Sequence, residues 1–184
     1  MSRLSKVVVV GVHHYLQNLE VRCETPDGRE SEARQKAALK ARLEDLISRH
    51  QPQLIGEEEK PGAACIGKEL ADAHGLKYCP LSMPRGERHK AGISEDYSNT
   101  PETRRAAYEM FESFMFEQIQ KNRGDAASIL VICGSYHMER LAKRFFVARD
   151  EVWAMDTYYE LWFEGWPIES QGRVFQYDKE RHDV

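Results

Sequence analysis

The strongest constraint on the fold is a pair of apolar runs, far apart in the chain, that end in the same way. Each is rich in β-branched residues and closes on a glycine, two further residues and a histidine, at residues 7–14 and 129–137. A third run, at residues 54–59, ends in three consecutive glutamates. Short runs of this composition predict strands buried on both faces. If the three strands are parallel, imidazoles and carboxylates meet at one edge of a sheet.

Helical patterns separate these strands. Strands alternating with helices predict an α/β fold with a mainly parallel central sheet, helices on both faces, and a site at the carboxyl ends of the strands. The segment Pro26-Asp27-Gly28 is typical of a turn. The predicted strands are 6–12, 53–57, 76–79, 128–133 and 151–155, with one more candidate at 173–177. The predicted helices are 31–50, 63–73, 100–122 and 136–148. Thr100-Pro101 is a typical helix start, and Gly75 is the expected C-terminal cap of the second helix.

Length and composition favour a single α/β domain over residues 1–184, because 184 residues with 41% hydrophobic and 30% charged side chains suit one ordinary core. Residues 81–98 have no clear period and are a candidate substrate loop. The aromatic tail 157–184 is expected to cover a sheet edge, with a homodimer contact as the alternative. The net charge of −4 argues against nucleic-acid binding. No apolar run is long enough for a membrane span, and the scattered cysteines favour a reduced, cytoplasmic chain.

The chemistry predicted for this edge is that of a histidine–glutamate site. The candidates are His13, His14, Glu57, Glu58 and His137. Imidazole and carboxylate suit a divalent Mn, Fe, Co or Zn ion, whose bound water is a nucleophile for hydrolysis, and they equally suit acid–base catalysis without a metal. The alternative for any single histidine is ordinary polar surface. For the glutamates it is a solvated strand exit, where negative charge at a following helix N-terminus is favourable.

Several other residues have two interpretations. Arg85, Arg88 and His89 form a locally basic stretch, which is either a clamp for an anionic substrate or a solvated loop. Tyr136 either donates a hydrogen bond to a reacting oxygen or packs against its neighbours. Cys133 is expected to be a buried core cysteine, because a nucleophilic thiol needs exposure and a lowered pKa.

The strand endings also resemble those of a known superfamily. Gly11-Val12-His13-His14, Ile55-Gly56-Glu57-Glu58 and Gly134-Ser135-Tyr136-His137 are similar to the pattern of the TraB/Tiki/ChaN-like proteins, which include the erythromycin esterases. The resemblance spans about residues 6–145 and depends on some dozen positions. It implies an α/β core and His14, Glu58 and His137 as site residues, with His13 and Glu57 as second choices. Members include metal-dependent proteases, esterases and a haem-binding protein.

The sequence therefore predicts a metal-dependent hydrolase of a small molecule or peptide, with the peptide, ester or phosphoester bond left open. One alternative is a protein that binds haem, a metal or a small ligand without turnover, in which Tyr136 and the histidines are iron ligands. Another is a nucleotide-binding or nucleotide-processing domain, although the chain has neither GxGxxG nor GxxxxGK[ST].

Overall fold

The computed structural model describes residues 5–21, 23–59, 62–95, 99–157 and 174–176. They form one six-stranded sheet in the order β3-β2-β4-β1-β5-β6. The first five strands in this order are parallel, and β6 pairs antiparallel with β5. The predicted α/β class is therefore confirmed. The strands are β1 Lys6–Val12, β2 Leu54–Glu57, β3 Lys77–Pro80, β4 Ser128–Gly134, β5 Glu151–Asp156 and β6 Val174–Gln176.

Helices pack on both faces of this sheet, as predicted. On one face the core side chains come from α1, α2 and α3, and on the other from α5 and α6. The helices are α1 His14–Gln17, α2 Pro26–His50, α3 Ile66–His74, α4 Arg85–Lys90, α5 Pro101–Asn122 and α6 Ser135–Val147. None of the described helices is both long and apolar enough to cross a bilayer.

The valine run of β1 shows why the strand is continuously apolar. Val7 and Val9 contact the α5–α6 layer, whereas Val8 and Val10 contact the α2–α3 layer. Side chains alternate between the two faces of a strand, and both faces of this one are covered. All four valines are at most 2% exposed, and burial of each side chain contributes about 1.5–3 kcal/mol.

Helix α2 corrects one sequence-based expectation. It begins at Pro26, not at residue 31, so Pro26-Asp27-Gly28 forms a first helical turn and not a separate turn. The physical reason is the Thr25 side chain, which accepts a hydrogen bond from the Gly28 N–H at the helix N-terminus. Proline suits this first position, because the first N–H groups of a helix have no partner inside it and proline therefore loses no hydrogen bond there.

The segment 81–98 also differs from the expected unstructured connection, since it contains the short helix α4. A helix of six residues is too short to show a period in the sequence. Helix α5 begins as expected, with Thr100 capping it and Pro101 in its first turn. The aromatic residues of the tail at 158–173 lie outside the described residues, and the predicted strand at 173–177 is present as β6.

Candidate functional site

Two histidines and a glutamate meet at the carboxyl edge of the sheet, where β2, β4 and β1 lie side by side. The Nε2 atom of His137 is 3.5 Å from Oε1 of Glu58. The Nε2 atom of His14 is 3.9 Å from Oε2 of the same carboxylate. His14 begins α1 directly after β1, and His137 lies in the first turn of α6 directly after β4. The parallel order of the strands therefore places these three predicted residues together.

Glu58 is held by the backbone of β4. Its own N–H donates to the carbonyl of Ile132 at 2.8 Å, which extends the β2–β4 pairing by one residue. Its Oε2 accepts a 2.8 Å hydrogen bond from the N–H of Gly134. These two contacts direct the carboxylate across the end of β4 toward both histidines. Glu58 is thus a positioned group and not a freely rotating one.

A buried carboxylate lies behind His137. Glu112, in the middle of α5, is 1% exposed, and its Oε1 is 3.1 Å from Nδ1 of His137. A carboxylate can only accept a hydrogen bond, so Nδ1 is the nitrogen that carries the proton. In the neutral imidazole, Nε2 is then an acceptor and faces Glu58. Glu112 therefore sets the tautomer and the orientation of the His137 ring.

Burial by itself lowers the pKa of His137, but the hydrogen bond to Glu112 and the negative charges of Glu58 and Glu112 outweigh it. The pKa of His137 is consequently raised above the ordinary value of 6.5, even though Arg140 opposes this shift. Arg140 approaches Glu112 from the solvent side, with Nη1 3.6 Å from Oε1. Charge around the imidazole thus favours the imidazolium form.

Aromatic rings fix the remaining faces of the histidine. The ring of Tyr108 meets that of His137 edge-on, with centroids 4.7 Å apart. Phe111 makes a similar contact at 6.3 Å. Both rings come from α5: Tyr108 lies one turn before Glu112, and Phe111 directly precedes it. A single helix therefore supplies the hydrogen-bond partner and the packing partners of His137.

The two consecutive histidines have different roles in the fold. His13 is the N-cap of α1, and its Nδ1 accepts a hydrogen bond from the Tyr15 N–H at 3.3 Å. Burial lowers the pKa of His13, and the neighbouring His14 lowers it further. The His14 side chain is 53% exposed and faces Glu58. The structure therefore brings His14, and not His13, to the carboxylate.

Glu57 does not join this cluster. Its side chain enters the opposite layer, where Oε2 accepts a 3.3 Å hydrogen bond from the Tyr78 hydroxyl. It also lies against Gly67 in the first turn of α3, so closely that a Cβ on Gly67 would be 2.5 Å from Oε2. Burial raises the pKa of Glu57 to about 7, against the hydrogen bonds from Cys65, Gly67 and Tyr78. Successive residues of a strand point to opposite faces, which separates Glu57 from the histidines.

The remaining candidates lie apart from the His137 cluster or at its margin. Arg85 pairs with Glu95 at 2.9 Å, and both Arg85 and His89 are exposed on α4. Arg88 is half-buried there. Tyr136 is 76% exposed at the second position of α6, with its ring 6.5 Å from that of Tyr108. Cys133 is fully buried, which raises its thiol pKa well above the ordinary value, in keeping with a core cysteine.

The side chains of this cluster are of the types that bind metals, but they are not arranged as a metal site. His14, Glu58 and His137 offer imidazole nitrogen and carboxylate oxygen, which suit Mn, Fe, Co or Zn. Among the residues that the structure describes, however, no group of three or more His, Cys, Asp or Glu side chains is arranged to hold a metal ion. Glu58 Oε2 is already engaged by the Gly134 N–H.

Sequence reasoning missed Glu112. A signal was present, because Glu112 falls in the buried stripe of α5, three residues before Met115 and seven before Ile119. A carboxylate in an apolar stripe needs a partner. The identity of that partner depends on how α5 packs against α6.

Comparison with family models, curated proteins and solved structures found no match to this chain.

Proposed function

We propose that this protein is a hydrolase whose central group is the His137 imidazole. The observation that carries the proposal is the line of contacts Glu112–His137–Glu58. A buried carboxylate behind an imidazole is the arrangement that orients a general base and stabilises the imidazolium formed during reaction. The resemblance of the strand endings to the TraB/Tiki/ChaN-like superfamily supports the same class of reaction.

In the proposed reaction, Nε2 of neutral His137 accepts a proton from a water molecule. The oxygen of that water adds to the carbonyl carbon or phosphorus of the substrate. The imidazolium then returns the proton to the leaving group, so that one water is consumed and no net proton remains on the protein. Glu112 stabilises the imidazolium, Glu58 lies 3.5 Å from Nε2, and His14 lies 3.9 Å from the same Glu58 carboxylate.

The first experiment is a hydrolysis screen with nitrophenyl esters, peptides and phosphoesters. His137→Ala is expected to lower the rate on any active substrate by about 10²–10⁴-fold, the usual contribution of a general acid or base. His74→Ala is the matched control, because His74 is an exposed histidine at the end of α3. Circular dichroism confirms that each variant folds. A folded His137→Ala with full activity contradicts the proposal.

The pH profile tests the part played by Glu112. Activity requires neutral His137, so the rate should rise with pH through the raised pKa of this histidine, above 6.5. Glu112→Gln removes the negative charge that raises the pKa of His137 and leaves only a weaker, neutral hydrogen-bond acceptor, while burial still lowers the pKa. The rising limb is therefore expected to move to lower pH, together with a slower maximal rate. If the rising limb lies at the same pH in wild type and Glu112→Gln, a group other than His137 controls the pH dependence of the rate.

A second candidate is the metal-assisted version of the same site. It is favoured by the Glu112 contact, since a ligating histidine commonly donates its other N–H to a carboxylate. His14, Glu58 and His137 would hold the ion, which when bound supplies an activated water. Elemental analysis of the wild type and the His14→Ala/His137→Ala variant decides between the versions. Near-stoichiometric Mn, Fe, Co or Zn that is lost in the variant favours the metal, and its absence from both favours the metal-free base.

A further inference from the structure

A groove of about 560 Å³ lies between α5 and α6. Volumes of this size accommodate small organic molecules. One end includes Glu112, the residue that orients His137, and the other end includes the last residue of α6. Its charged lining consists of two carboxylates, Glu109 and Glu112, and three cations, Arg140, Lys143 and Arg144.

The α6 wall of this groove is positively charged. Arg140, Lys143 and Arg144 are three and four residues apart, so they share one face of the helix. Like charges at this spacing repel each other. Arg140 is 3.6 Å from the Glu112 carboxylate, and Arg144 donates to the backbone carbonyl of Glu109. The Lys143 ammonium has no ion pair or hydrogen bond within the part of the chain described. The lining therefore carries three cations against two carboxylates, and since Glu109 also pairs with Arg105, the groove keeps a net positive charge.

The far end of the groove is apolar. Val147 is 72% exposed at the end of α6, and Phe116 is a partly buried side chain of α5 that packs on the core. An exposed valine beside a half-covered phenylalanine offers a surface that an apolar group would remove from water. The groove thus combines cationic groups with an apolar end about one helical turn away.

We propose that this groove binds a small amphipathic anion. Its carboxylate or phosphate head contacts Lys143 and Arg144, and its short apolar chain lies against Phe116 and Val147. The charge of the wall selects an anion, and the exposed valine selects a ligand with an apolar part. The site differs from the basic stretch at 85–89, whose Arg85 is already paired with Glu95. Binding does not depend on hydrolysis, so this proposal stands apart from the proposed function.

The test is isothermal titration of the full chain with octanoate. Saturable binding is expected, and octyl phosphate is expected to bind too, because it offers the same combination of anion and chain. Octanol, which has the chain without the charge, is expected to bind at least about tenfold more weakly. If octanoate and octyl phosphate both fail to bind at millimolar concentration, or octanol binds as well as octanoate, the proposal is overturned. Comparing the two anions shows which head group is preferred.

Variants locate the site. Lys143→Gln/Arg144→Gln should weaken octanoate binding about tenfold, because it removes two ionic contacts at the exposed Lys143 and the half-buried Arg144. Lys121→Gln is the matched control, because Lys121 is an exposed lysine near the end of α5 and outside the groove. Val147→Asp places a negative charge at the apolar end and is expected to weaken binding at least as much, with Val147→Leu retaining it. Equal affinity in all these variants places octanoate elsewhere and overturns the proposal.

Discussion

Glu57 and Glu58 are consecutive residues at the end of β2, and they lie in opposite environments. Glu57 is fully buried against α3 and contacts the Tyr78 hydroxyl. Its Oε1 has no hydrogen-bond partner among the described residues. Glu58 lies at the open edge, where it accepts from the Gly134 N–H and faces two histidines. Two glutamates next to each other in sequence therefore differ: Glu57 is a buried acid on one face, and Glu58 lies beside two histidines at the edge of the sheet.

The difference shows what the strand end contributes to each carboxylate. The Glu57 side chain is buried in a mainly apolar layer, away from water. Burial disfavours its charged form, so its pKa is raised to about 7. That shift corresponds to about 3 kcal/mol between the protonated and charged forms. Glu58 keeps partial contact with solvent and gains a backbone donor. Function is therefore expected to depend on Glu58, and the pH dependence of stability on Glu57.

The largest expected effect separates the two residues by activity. Glu58→Gln removes the negative charge that stabilises the His137 imidazolium from 3.5 Å, and we expect hydrolysis to fall by about 10²-fold. Glu57→Gln should retain most of the activity, because its side chain enters the other layer. Initial rates on the best substrate of the screen measure both. A comparable loss in both folded variants would show that the face of the sheet is not what matters.

The second effect is on stability, and it concerns Glu57. Its folded pKa of about 7 lies above its ordinary value of 4.5. The folded state therefore holds the proton more tightly, and the free energy of unfolding falls as pH rises from about 4.5 through 7. Glu57→Gln removes this loss, so at pH 9 the variant should be more stable by about 3 kcal/mol, with little difference at pH 4.

Urea denaturation at the two pH values measures this difference. Glu24→Gln is the matched control, since Glu24 is an exposed glutamate outside this buried layer. An identical pH dependence in wild type and Glu57→Gln would mean that Glu57 is not held in a water-poor environment.

The smallest expected effects come from adding a methyl group at two glycines. Gly67 lies against Glu57, and Gly134 lies against His14. A Cβ on Gly67 would be 2.5 Å from Glu57 Oε2 and 3.0 Å from Ile132 Cδ1, in an enclosed layer. Gly67→Ala should therefore lower the free energy of unfolding by about 1–3 kcal/mol, the usual result of overpacking. A Cβ on Gly134 would be 2.5 Å from His14 Nε2, but that half-exposed side chain has room to rotate.

Gly134→Ala is accordingly expected to change stability by less than about 0.5 kcal/mol and to displace His14 from Glu58. Urea denaturation and initial rates distinguish the two outcomes. A fall in activity without a fall in stability assigns His14 to the site. Unchanged activity indicates that His14 only borders it, and a large loss of stability would show that the edge is as tightly packed as the buried layer.

The sequence alone predicted the class of fold. The β-branched runs, Gly75 after α3 and Thr100 before α5 are local signals, and each marks a strand or a helix end that the structure contains. Local signals were weaker where a turn motif opens a helix, as at Pro26, and where α4 is too short to be periodic. Parallel strands bring their carboxyl ends to one edge, which is why His13, His14, Glu57, Glu58 and His137 were predicted as neighbours. Only the resemblance placed His14 and Glu58 ahead of His13 and Glu57.

Only the tertiary structure decided which of the doubled residues lies beside His137 and which carboxylate lies behind that histidine. Sequence could not choose between Glu57 and Glu58, because the choice depends on how far β2 pairs with β4 and which layer each side chain then enters. Nor could it connect Glu112 to His137, since that contact depends on the packing of α5 on α6 and not on any local pattern. Strand and helix formation depend mainly on neighbouring residues, whereas the charge environment of a site depends on residues distant in sequence.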